Sequence, residues 1–89
     1  METISVHKVS DTEFNVTVES RITTVHRVSL PELYYHKLTR GKVTQETLLE
    51  KSFEFLLERE PNTSILRSFK LSVIGQYFPE YESVIRDLI

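Results

Sequence analysis

No cysteine occurs among the 89 residues, which excludes a disulfide framework, cysteine-based zinc binding and a thiol nucleophile. Glycine appears twice and proline three times, too seldom to break up the chain, so a folded domain is expected rather than a disordered one. No stretch approaches the roughly 20 apolar residues of a membrane span. The opening METISVHKVSD lacks the apolar run of a signal peptide, and a soluble cytoplasmic protein follows as the expectation. A chain of this length forms one domain over residues 1–89, β-rich over 1–29 and helical over 30–89. Cationic excess is absent too. The net charge of −2 argues against a nucleic-acid binder or a polybasic membrane anchor. The cations and all three histidines do gather toward residues 1–42, so an anionic partner would meet that half.

Hydrophobic patterning supplies the elements. TISVHKV alternates Ile4 and Val6 against polar neighbours, and FNVTVES places Phe14, Val16 and Val18 on one face. ITTVHRV has the β-branched enrichment of a third strand. Its preferred inward set is Ile22, Thr24, His26 and Val28, which turns Arg21 and Arg27 outward. No glycine marks the bend near Ser20, so the second and third strands are either separate or one long bent strand. From Leu30 the period becomes helical, with Pro31 and Glu32 at a helix start, Gly41 beyond its end, and Leu30, Leu33, Tyr34 and Leu38 sharing a face. Thr44 is a good N-cap for QETLLEKSFEFLLER, whose apolar stripe runs through Leu49, Phe53 and Leu56. Short helices are expected over SILRSF and VIGQY. Phe78 precedes Pro79 and must leave the helix, while Pro79 starts another in which Tyr81, Val84, Ile85 and Leu88 share a face.

The pattern predicts an α+β fold: an N-terminal antiparallel hairpin or three-stranded meander followed by three to five helices. The aromatic elbow of Tyr77, Phe78 and Tyr81 is the candidate interaction surface. Its default reading is structural, with Phe78 and Tyr81 largely buried and Tyr77 partly exposed. The stripe behind it needs cover, either from the helix over 44–59 or from a second chain.

Catalytic chemistry is not advertised. Glu46, Glu50, Glu54 and Glu58 recur every fourth residue and describe a solvated helix face rather than an acid–base pair. His7, His26 and His36 lie on two strands and a helix without metal-ligand spacing, and are expected to be half-exposed polar residues. No nucleophile elbow or phosphate-cradling loop is present. The expectation is a non-enzyme with no metal and no cofactor.

VHRVSLPELYYHKL followed by VTQETLLEKSFEFLLE resembles the ribbon-helix-helix DNA-binding domains over residues 23–59. In that family strands from two chains pair and their outward residues enter the major groove. The resemblance implies Val25, Arg27 and Ser29 as DNA contacts. The whole chain looks like short prokaryotic proteins of uncharacterised function that share SFEFLLERE…SIL and a closing YFPEYE, a likeness that implies no activity. The leading reading is a small non-catalytic interaction module that self-associates, its expected partner a second copy as a dimer or another protein. The alternative is a ribbon-helix-helix-like DNA-binding regulator.

Overall fold

The computed structural model describes residues 2–89. Strands β1 (Thr3–Lys8), β2 (Glu13–Glu19) and β3 (Thr24–Ser29) form an antiparallel meander, so the second and third strands are separate. Helices α1 (Glu32–Thr39) and α2 (Gln45–Leu57) follow, then a single 3-10 turn at Asn62–Ser64. The chain returns to the sheet as β4 (Ser68–Lys70), parallel to β3, and ends in α3 (Val73–Tyr77) and α4 (Tyr81–Leu88). The sheet order is β1-β2-β3-β4. A parallel neighbour needs a long crossover, which α1 and α2 provide. The mixed α+β fold therefore carries one strand more than the meander read from the sequence. Among the described residues, no helix is long and apolar enough to cross a membrane.

Alternation places one face of the sheet inward. Phe14, Val16 and Val18 of β2 and Val28 of β3 are fully buried, with Ile4 and Val6 of β1 partly so. Over them lies α2, whose buried residues are Leu48, Leu49, Ser52, Phe53, Phe55 and Leu56. Its start is fixed by the Thr44 side chain, which accepts a hydrogen bond from the Thr47 amide. The stripe of α4 is covered by the chain itself at Tyr81 and Ile85, which are wholly buried, and partly at Val84, whereas Leu88 is 51% exposed near the helix end. Tyr81 reaches Ser52 at 2.6 Å. Because the Ser52 hydroxyl donates to the Leu48 carbonyl, the tyrosine must be the donor in that pair. Burial then holds the Tyr81 phenol far above its ordinary pKa. Tyr34 of α1 ties α4 down from the other side by donating to Glu82 at 2.8 Å.

Several expectations need correction. Leu33 is 88% exposed, because α1 begins at Glu32 and turns only Leu38 and Thr39 fully inward. Ile22 is exposed, since the residues before Thr24 form the turn rather than the strand. SILRSF is not a helix; after the 3-10 turn it extends into β4. His26 is not half-exposed but fully buried, on the inward face that the alternation with Thr24 and Val28 predicts, its ring tilted against Phe53 at 5.4 Å between ring centres.

His26 is the centre of a buried polar chain that holds the returning crossover. Asn62 donates to the Thr24 hydroxyl at 2.9 Å and to the Ile22 carbonyl at 2.7 Å. On His26, Nδ1 lies 2.7 Å from the Leu66 carbonyl and Nε2 lies 2.8 Å from the Thr24 hydroxyl. A carbonyl only accepts, so Nδ1 carries the proton, and the Thr24 hydroxyl donates to Nε2. Burial lowers the His26 pKa, the Leu66 carbonyl opposes that shift, and nearby Arg67 adds to it. The neutral ring is thus the native form. A depressed folded pKa means that stability is complete above the ordinary value of 6.5 and is lost as pH falls below it. Denaturant unfolding at about pH 7.5 and about pH 5.5 should show this loss in the wild type. His26→Gln, less stable at both, should show a shallower loss; an unchanged pH slope would mean that another group is responsible.

Candidate functional site

The elbow between α3 and α4 arises as the proline requires. Phe78 adopts φ −128° and ψ 91°, leaving the helix, and its amide bonds back to the Ile74 carbonyl at 2.8 Å. The next element begins within two residues at Glu80, the N-cap position of α4. Tyr81 meets Phe55 edge-on at 5.3 Å, and Phe78 meets the same ring at 5.9 Å. Arg59, just past α2, lies 3.5 Å over the Phe55 ring, donates to the Phe55 carbonyl at 2.9 Å and pairs with Glu80 at 3.4 Å. That guanidinium fastens the elbow to the end of α2.

The three elbow aromatics separate in depth. Tyr81 has no exposed surface and does not belong to any interaction surface. Phe78 keeps a minority of its surface exposed while packing against the core, and Tyr77 is 67% exposed. Tyr77 and Phe78 form one wall of a groove of about 230 Å³. The opposite wall comes from Leu56 of α2 together with Ile65, Leu66 and Phe69 of the crossover and β4, and Val73 and Ile74 of α3 form the base. Glu60 is the one ionisable carboxylate on its rim, beside Ser64. The lining is mostly apolar and open on one side, with Glu60 and the Tyr77 phenol as its titratable groups.

Leu66, Phe69 and Val73 were not singled out by sequence reasoning, because their segment was read as helix. The signal available was the extended alternation around Phe69, too short at three residues to stand out.

The residues implied by the ribbon-helix-helix resemblance lie elsewhere. Val25 and Arg27 are exposed on the face of the sheet away from the helices, and Ser29 is half-buried. Both edges of β3 are filled by this chain's own β2 and β4. Arg27 is engaged on that face, donating to Asn15 at 2.8 Å and to Glu13 at 2.9 Å. The three histidines do not converge, and among the described residues no group of three or more His, Cys, Asp or Glu side chains is placed to hold a metal ion. A smaller cavity of about 160 Å³ is lined by Lys37, Arg40, Lys42 and Arg86. Lys37 and Arg86 both lean toward Glu82, at 3.7 and 3.9 Å. No protein-family model, curated protein or solved structure matches this chain.

Depth sets an order for truncations at the elbow. Tyr81→Ala should cost about 3–5 kcal/mol, Phe78→Ala about 2 kcal/mol, and Tyr77→Ala less than about 0.5 kcal/mol. Equilibrium denaturation measures all three. A Tyr77→Ala loss as large as that of Tyr81→Ala would place Tyr77 in the core and remove it from the groove's surface.

Proposed function

We propose that this chain is a small non-catalytic interaction module that self-associates through the groove beside the elbow. The observation that carries the reading is the groove itself. A wall of Tyr77 and Phe78, with Leu66 at 47% exposure opposite, leaves large apolar side chains around an open concavity while the rest of the core is closed. Apolar surface gathered at a concave site is the usual mark of a docking surface. A carboxylate, a serine hydroxyl and the Tyr77 phenol are the polar side-chain groups on a mostly apolar lining, which favours binding over reaction.

The DNA-binding alternative rests on the order strand–helix–helix and on residues 23–59. Pairing β3 with a second chain would require β2 or β4 to be displaced, and Arg27 would have to give up Glu13 and Asn15. Sequence-independent affinity for DNA comes mainly from cations meeting phosphates, which the net charge of −2 opposes.

Solution mass across a concentration series tests the proposal. The wild type should move from monomer toward dimer with concentration, and Tyr77→Asp should remain monomeric while melting like the wild type. Duplex DNA titrated at about 150 mM salt should show weak or no binding. A monomer at every concentration, joined by a tight sequence-selective complex that Arg27→Ala abolishes, would replace this reading with the alternative.

A further inference from the structure

One edge of the sheet lies directly beside the groove. Its hydrogen-bonding capacity can be read from the ladder that β4 makes with β3. Arg27 donates to the Arg67 carbonyl at 2.8 Å, and Leu71 donates to the Ser29 carbonyl at 2.9 Å. With the register Arg27↔Ser68 and Ser29↔Lys70, the parallel ladder uses the backbone of residues 67, 69 and 71. The amides and carbonyls of Ser68 and Lys70 therefore point away from the sheet. Among the described residues no backbone or side-chain group meets them. Phe69 turns its side chain to the helix side and lines the groove. A free edge with a row of unpaired groups next to an apolar concavity is a template for an added strand.

Resting on the self-association reading above, we infer that the groove's occupant is a second copy of this chain, its β4 laid antiparallel along the first about a two-fold axis at Phe69. Two four-stranded sheets then become one continuous sheet across the edge.

Register and charge select this occupant. Centring the axis at Phe69 sets Ser68 opposite Lys70 of the partner subunit, so each such pair exchanges both of its main-chain bonds. Centring it at Lys70 would oppose two lysines, which is unfavourable. In the chosen register the two Phe69 rings face each other across the closer, non-bonded pair, at a Cα separation of roughly 4.5 Å. Leu66, exposed two residues before β4, lines the groove next to the paired edge. Arg67 is exposed at the start of the paired edge, and among the described residues neither it nor Glu60 of the groove makes an ion pair, so each is open to a charge on the partner.

The opposite edge, β1, offers no equivalent. Its inward residues Ile4 and Val6 pack on the core, and no β1 residue lines either cavity. A β1-to-β4 pairing would also be head-to-tail and would not close. The paired area is small. A standard interface takes about 800 Å² from each partner, roughly 15% of this chain's 5425 Å² surface, and a three-residue edge with half a groove supplies less. The dimer is accordingly weak, with a dissociation constant on the order of tens of micromolar.

Three measurements separate the outcomes. Ser68→Pro removes an outward amide but none of the ladder to β3, and should raise the dissociation constant at least tenfold without lowering the melting temperature much. Because the chain has no cysteine, Ser68→Cys and Lys70→Cys can be mixed and oxidised. The mixed disulfide should exceed either self-disulfide, since those positions stand roughly 5.5 Å apart at Cα. Both substitutions are on exposed side chains, so this test does not depend on Ser68→Pro folding. If the wild type dimerises and Tyr77→Asp dissociates it, while Ser68→Pro and the disulfides show no preference, the β4 pairing is wrong and the groove reading survives. If the wild type is monomeric at every concentration, or dimerises unaffected by Tyr77→Asp, the groove reading fails and this inference with it.

Discussion

Asn62, Thr24 and His26 form a single hydrogen-bonded line running from the turn after α2 into the middle of the sheet. Each member is buried, and each has its polar atoms satisfied: among the described residues no buried side-chain nitrogen or oxygen lacks a partner. Satisfied groups in a dry core fix geometry, because breaking one bond leaves the others with an unpaired buried atom. The far end of the line is the Leu66 carbonyl. The long crossover is thereby held where the next residues must run beside β3, and a three-residue strand that could not hold its place alone acquires a position.

Everything at the candidate site is downstream of that placement. β4 sets Phe69 against Phe53 at 6.1 Å and leaves Leu66 at the surface. The chain then turns through α3 to the elbow, where Arg59 joins the end of α2 to Glu80 and the Phe55 ring. The groove is the gap between these two fixed features. Its walls are apolar because each wall is the outer margin of the core, and it is open because α3 is a helix of only five residues.

The sequence was most legible where a period repeats. Phe14, Val16 and Val18 alternate without exception, and α2 carries both a hydroxyl cap at Thr44 and a stripe three turns long; both elements stand where the patterns put them. Pro79 likewise announces the break at Phe78. Legibility failed where the deciding partner is distant in sequence. The alternation turns His26 inward, but what satisfies its ring there is hidden until the Leu66 carbonyl, forty positions on, is brought beside it. β4 is too short for a period, and its pairing depends on the same distant contacts. Leu33 and Leu88, both exposed, show the limit of helical wheels: a stripe says which residues share a face, while depth depends on what packs there. For the site, Tyr77 and Phe78 were visible as an aromatic cluster, but the opposite wall was not.

Amide hydrogen exchange on dilute, monomeric protein tests most directly whether the buried line places β4. The Phe69 and Leu71 amides point into the ladder with β3 and should exchange slowly, whereas those of Ser68 and Lys70 point outward and should exchange fast. In Asn62→Ala, the slow pair should become fast while the amides of β2 stay protected. Fast exchange at Phe69 and Leu71 in the wild type, or protection there that survives Asn62→Ala unchanged, would contradict the account.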